Sequence, residues 1–238
     1  MSDSGSAAVA LFSLNPAARV HVETLASGCP ILVIDDCYAD PMAVRDRALR
    51  GRFDASLAFY PGVHSNIERS EIMPMFRQLA HLMAQLGDGE VPAESFISDF
   101  SLVTTPARDM LAKQKHPHVD PVSLAGVLYL NPDYEIGTSF FRHRPSDLAF
   151  LRSDADREQH GQWLQANGER TQPESYAVAN DDTWEHLYSV AGRFNRLVMY
   201  PGTAFHSIAM QDVAAQVTLS SARLTQRFFA QHAPAPAR

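Results

Sequence analysis

Cysteine is scarce in this chain: 2 in 238 residues, Cys29 and Cys37. Two thiols cannot build a disulfide framework, so a reducing, cytoplasmic setting is expected. Positive charge is also in short supply. With 20 Lys+Arg against 27 Asp+Glu, the net charge is -7, which argues against a general electrostatic grip on nucleic-acid phosphates. No apolar run approaches the roughly 18 residues that a membrane span needs. Neither nucleic acid nor membrane is therefore expected as a partner. The opening MSDSGSAAVA has an acid where a secretion signal carries Lys or Arg. Low-complexity linkers and repeats of solenoid period are absent too.

What is present suits a folded core: 45% of the residues are hydrophobic and 20% charged. The expected organisation is one domain over residues 11–230, between flexible ends at 1–10 and 231–238. Within it, 11–93 reads as a mixed helix and strand support, and 94–230 as a β-rich core. CPILVIDD (29–36) has strand length, and PMAVRDRALRG (41–51) has Pro at a helix start and Gly at its end. Ile72, Met75, Phe76, Leu79, Leu82 and Met83 recur at helical spacing, which predicts a helix from Glu68 to Leu86. Strands follow in ESFISDFSLVTT (94–105), SLAGVLYLNP (123–132), GTSFFRHR (137–144), NRLVMYPGTAFHSI (195–208) and QVTLSSARLTQRFFA (216–230). A charged, helix-like stretch from Asp147 to about Gly168 interrupts them. Strands separated by turns, with helices mostly N-terminal, predict an antiparallel double-sheet barrel backed by helices.

KHPHVDPVSLAGVLYLNP (115–132) carries the most chemistry. His118 and Asp120 are two apart, so on extended backbone both side chains leave by one face, as two ligands of one metal ion must. Chance alone supplies about one His-x-Asp match in a chain with 10 His, so context has to carry the reading. A facial triad of two imidazoles and one carboxylate needs a second His from a distant strand and leaves positions open for substrates. His206, in MYPGTAFHSI, is placed to supply it. His116 is a competing ligand, since His116, His118 and Asp120 would make a local clamp. His64, His81, His143 and His186 have no acid at ligand spacing and read as surface or core histidines. In SSARLTQRFF (220–229), Arg223, Thr225 and Arg227 alternate with Leu224, Gln226 and Phe228. If that polar face points into a barrel, a guanidinium with a hydroxyl two residues on is a receptor for a carboxylate.

These pieces, in this order, resemble the iron(II)- and 2-oxoglutarate-dependent dioxygenases, particularly their prolyl-hydroxylase-like branch. The matching motifs are HVD (118–120), VLYLN (127–131), GTSFF (137–141), YPGTAFHS (200–207) and RLT (223–225), spread over residues 94–230. The resemblance implies a double-stranded β-helix, or jelly roll, with Fe(II) held by His118, Asp120 and His206. It implies that Arg223 takes the distal carboxylate of 2-oxoglutarate with help from Thr225, and that Tyr129 is a further candidate for a hydrogen bond to this cosubstrate. His206 and Arg223 are 17 residues apart, a longer gap than many such proteins have. A longer hairpin around MQDVAA (210–215) would account for it; otherwise Arg227, on the same face, is the substitute. The implied activity is hydroxylation of a small-molecule or peptide substrate by molecular oxygen. A cupin-like metal-binding module, with the same barrel and triad but no oxygen chemistry, is the alternative. The stretch at 147–168 and a loop at about 170–185 are candidates for a lid, with Tyr176 and Trp184 as possible lining.

Overall fold

The structure is a computed structural model, and it describes residues 10–25, 27–55, 61–86, 89–133, 135–167, 176–177, 179–210, 218 and 221–233. The expected flexible ends and the hairpin around 210–215 fall largely outside these residues, as do 170–175 and 178 of the expected loop at about 170–185. In chain order the elements are β1 (Arg19–Thr24), β2 (Pro30–Asp35), α1 (Pro41–Leu49), β3 (Gly62–Asn66), α2 (Arg69–Leu86), β4 (Ile97–Val103), α3 (Ala112–Lys115), β5 (Leu124–Tyr129), β6 (Thr138–His143), α4 (Asp154–Asn167), β7 (Trp184–Val190), β8 (Leu197–Pro201), β9 (His206–Ile208) and β10 (Arg223–Ala230).

The strands form two antiparallel sheets. One has seven strands in the order β1-β2-β8-β5-β10-β4-β3, and the other has three in the order β7-β6-β9. Period-two alternation gives the larger sheet two apolar faces. On the outer face Leu32, Ile34, Phe100, Leu102, Leu128, Leu197, Met199, Leu224 and Phe228 meet Val44 and Ala48 of α1 and Ile72, Met75, Phe76, Leu79 and Met83 of α2. Burying each of the larger side chains contributes roughly 1.5–3 kcal/mol, so the helical stripe anchors α2 on this sheet. On the inner face Ile31, Val33, Ala125, Tyr129, Val198 and Tyr200 pack against Phe140 of β6 and Val190 of β7. The architecture is thus mainly β, a sandwich of jelly-roll type with helices on its outer side, as the strand and helix patterns predict.

The same alternation decides what faces inward on β10. Leu224 and Phe228 join the outer core, so Arg223, Thr225, Arg227 and Phe229 turn toward the smaller sheet and line the cavity there. Asn131, at the end of VLYLN, holds the start of this strand. Its side-chain amide donates to the Ala222 carbonyl at 2.9 Å and its oxygen accepts the Leu224 amide at 2.7 Å, bracketing Arg223.

Candidate metal centre

The HVD segment is an extra strip beside β9. His118 and His206 exchange both backbone hydrogen bonds, at 3.0 and 2.9 Å, and the Asp120 amide donates to the Gly202 carbonyl at 2.7 Å. Directly paired residues on antiparallel backbone present their side chains to the same face, so pairing His118 with His206 brings the two imidazoles together. Their ring centres lie 4.4 Å apart. Gly202 makes the approach possible: a Cβ there would sit 2.3 Å from the Val122 carbonyl oxygen. β9 pairs on its other side with β6, His206 opposite Phe140, which fixes the depth of the site.

One ligand atom from each of His118, Asp120 and His206 lies within 4.8 Å of the others. Nε2 of His206 is 3.4 Å from Oδ2 of Asp120, while its Nδ1 is 3.0 Å from the Ala204 carbonyl. A carbonyl can only accept, so Nδ1 donates to it, and this turns Nε2 toward the centre of the group, the orientation found in metal-bound histidines. His118 is open to the cavity yet lies deep among protein atoms. That burial, and then the neighbouring His206, push its imidazole down to about 4, leaving a neutral ring at neutral pH. His116 is not in the group: its Nδ1 accepts from the indole N–H of Trp184 at 3.3 Å.

The triad borders a cavity of about 520 Å³ whose lining also includes Arg223, Thr225, Arg227, Thr138, His116 and Tyr176. The two arginines sit in different surroundings. Arg227 forms a two-point ion pair with Asp99, its partner across the β10–β4 register, and its Nη2 also lies 2.8 Å from Nδ1 of His64. The same Nδ1 lies 3.4 Å from Oδ2 of Asp99. Burial pushes the Asp99 carboxyl up, but the contacts with His64 and Arg227 outweigh it, and the group titrates below the usual carboxylate range. Arg223 is 4% exposed and donates instead to the carbonyls of Ile136 and Gly137, both at 3.1 Å. Its guanidinium carbon lies 5.5 Å from the centre of the Tyr129 ring, within cation–π range.

Thr225 is buried and shares a 2.8 Å hydrogen bond with Ser101, its register partner on β4. Tyr129 lies under Arg223 with its hydroxyl 2.8 Å from Oγ1 of Thr138; Thr138 lines the cavity and Tyr129 is not among its lining residues. α4 reaches the cavity through His160 and Leu164. Behind His160 stands His143, with ring centres 4.8 Å apart, and burial pushes both imidazoles down to about 4. Tyr176 lines the cavity, whereas Trp184 is wholly buried. Sequence reasoning missed His64 and Asp99. The signal available was the alternation in ISDFSLV, which places Asp99, Ser101 and Val103 on one face of β4.

A His-Asp-His group of this kind, in an inward-facing cavity between two antiparallel sheets, defines a candidate non-haem metal site. The chain belongs to the family described as "Family of unknown function (DUF6445)", whose pattern matches residues 16–230. Among curated proteins none matches the sequence. A solved structure that it is similar to is HygX from Streptomyces hygroscopicus with nickel, 2-oxoglutarate and hygromycin B bound. The two share 11% identity and a TM-score of 0.43, over 85% of this chain and 82% of that one. No helix among the described residues is long and apolar enough to cross a membrane.

Proposed function

We propose that this chain is an iron(II)- and 2-oxoglutarate-dependent oxygenase, a hydroxylase of the prolyl-hydroxylase-like branch, on a double-stranded β-helix within residues 11–230. The observation that carries the reading is the convergence of the His118, Asp120 and His206 ligand atoms, within 4.8 Å of one another, on a cavity that Arg223 and Thr225 also line. Supporting the fold, β4, the 118–120 strip, β5, β6, β7, β8, β9 and β10 wind between the sheets as a jelly roll does.

The donor set fits iron(II). Two imidazole nitrogens and one carboxylate oxygen form a facial triad, whereas a structural zinc site takes four protein ligands. His118, Asp120 and His206 would hold the metal. Iron(II) with 2-oxoglutarate and molecular oxygen supplies oxidative decarboxylation to succinate and carbon dioxide, coupled to hydroxylation of a substrate C–H bond. The chain's own residues do the binding and orienting. The Ala204 carbonyl keeps Nε2 of His206 turned to the centre. Arg223, steadied by the Ile136 and Gly137 carbonyls and by the Tyr129 ring, would pair with the far carboxylate of the cosubstrate, and the Thr225 hydroxyl would add a hydrogen bond. The Asp99 carboxylate already occupies Arg227, which favours Arg223 as the anchor. A cavity of about 520 Å³ suits a small-molecule substrate or a peptide side chain.

The cupin-like alternative rests on one observation: Arg223 already donates to two carbonyls, a role it would keep without any anion. Succinate production separates the two readings. Protein incubated in air with iron(II) and 2-oxoglutarate should form succinate slowly by uncoupled turnover, followed by proton NMR. Asp120→Ala and His206→Ala should not. Equal succinate from either variant would remove the triad from the chemistry.

A further inference from the structure

The two sheets have four outer edges, and on three of them, among the described residues, the chain itself hydrogen-bonds to the edge backbone. Asp54 exchanges two backbone bonds with His64 along β3, at 2.8 and 2.9 Å, and His118 does the same along β9. On β7 the Asn180 side chain accepts the His186 amide at 2.7 Å. β1 is different. No hydrogen bond within the described residues reaches its outer side, and five of its six residues are exposed.

Its backbone orientation follows from the hairpin. The Leu25 amide donates to the Cys29 carbonyl at 2.9 Å, so Leu25 and Cys29 are a hydrogen-bonded pair. Alternation then turns the backbone groups of Arg19, His21 and Glu23 toward β2, and those of Val20, Val22 and Thr24 outward. Pro30, which has no N–H to give, stands opposite outward-facing Thr24, as this requires. Val20 and Val22 are 37% and 51% exposed, and 39%-exposed Tyr188 adjoins the strand through its hydroxyl, which donates to Glu23 Oε2 at 3.0 Å.

We propose that β1 pairs antiparallel with β1 of a second copy, about a two-fold axis at Val22, joining the two larger sheets into one. The stretch Val20–Thr24, VHVET, is self-complementary in that register. Val22 faces its own counterpart, Val20 faces Thr24, and all three are the residues whose backbone groups point outward. His21 and Glu23 already pair within one strand, Nε2 to Oε1 at 3.1 Å, and in this register each also lands opposite the other's counterpart in the second copy, so the polar face brings together opposite rather than like charges when His21 is protonated. Charged side chains on an edge strand ordinarily deter pairing; here the symmetric register makes them compatible. An isologous contact of this kind closes at two copies. Because one strand pair falls below the area of a standard interface, the dimer is expected to be weak, in the micromolar range.

The test is sedimentation velocity of the full chain from about 1 to about 100 µM, a range that brackets a micromolar dissociation constant. Wild type should move from monomer to dimer, and Val22→Lys, which places like charges face to face, should stay monomeric across the range. Val22→Cys should form an intermolecular disulfide on mild oxidation, since paired Cα atoms about 5.5 Å apart suit one. Val20→Cys should not, because its counterpart lies opposite Thr24. Wild type that is monomeric at every concentration overturns the proposal, as does a dimer that Val22→Lys leaves intact or a crosslink as efficient at Val20 as at Val22. The crosslinking pair still decides the matter if Val22→Lys folds poorly.

Discussion

Replacing Arg223 by Met removes a buried guanidinium with two structural contacts and one proposed ligand, and the effects on each can be sized. On the ligand side, truncating one partner of a buried, hydrogen-bonded charge pair costs about 2–5 kcal/mol. At about 1.4 kcal/mol per decade, the dissociation constant for 2-oxoglutarate should rise roughly 30-fold to several thousand-fold. On the protein side, the Ile136 and Gly137 carbonyls each lose a 3.1 Å donor. A buried carbonyl left without its partner costs about 1–3 kcal/mol, partly offset by the apolar fill of methionine. A net loss of about 2 kcal/mol lowers Tm by roughly 4–8 °C in a chain of this size. Arg223→Lys keeps the charge but not the fork, and should fall between the two. The assay is anaerobic calorimetry of 2-oxoglutarate into manganese(II)-loaded protein, with thermal unfolding of the same samples. A dissociation constant for Arg223→Met within about threefold of wild type would refute the anchor. So would a large loss that appears in Arg227→Lys and not in Arg223→Met.

Other outcomes follow from neighbouring residues. Asp99→Ala leaves the guanidinium of Arg227 without its carboxylate in a mostly buried setting and should cost about 3 kcal/mol, seen as a lower denaturant midpoint with unchanged slope. Because the Asp99 carboxyl titrates below its unfolded value, its contribution is present above that unfolded value, about pH 4, and is lost as pH falls through the lower folded value. Wild type and Asp99→Ala should therefore differ most at neutral pH and converge in strong acid, measured by urea unfolding across pH. Gly137→Ala would put a Cβ 1.7 Å from the Val190 carbonyl oxygen, so backbone must shift beside the Arg223 contacts. A loss of about 1–3 kcal/mol is expected in thermal unfolding, together with weaker 2-oxoglutarate binding.

How far the sequence could be read depends on where each signal lies. α2 was legible because Ile72, Met75, Phe76, Leu79 and Met83 form one stripe and the fold buries that stripe. β4, β5, β6, β8, β9 and β10 were legible because runs such as LAGVLY and RLTQRFFA have strand length and β-rich composition. β1 was not, because RVHVET is an exposed edge whose valines bury little. β7 went unread because WEHLYSV is half exposed and follows a polar loop. α4 buries only His160 among its described side chains, so its charged sequence pointed to a helix and a candidate lid but not to His160 and Leu164 as the residues that line the cavity. At the site, the inward face of β10 could be read from alternation, and His118, Asp120 and His206 from spacing and order. The different surroundings of Arg223 and Arg227 could not, since they turn on Asp99, 128 residues from Arg227 in sequence and adjacent only through strand register. The exclusion of His116 likewise depends on Trp184, which arrives from β7.

The most direct test of the proposed metal and cosubstrate site is anaerobic titration of the protein first with iron(II) and then with 2-oxoglutarate, followed by visible absorbance. One equivalent of iron should bind, and 2-oxoglutarate should then raise a charge-transfer band from its chelate, weakened in Arg223→Met and absent in Asp120→Ala. Iron uptake without the band would contradict the oxygenase reading and leave the metal-binding module. Failure of folded wild-type protein to bind iron would contradict the metal centre itself.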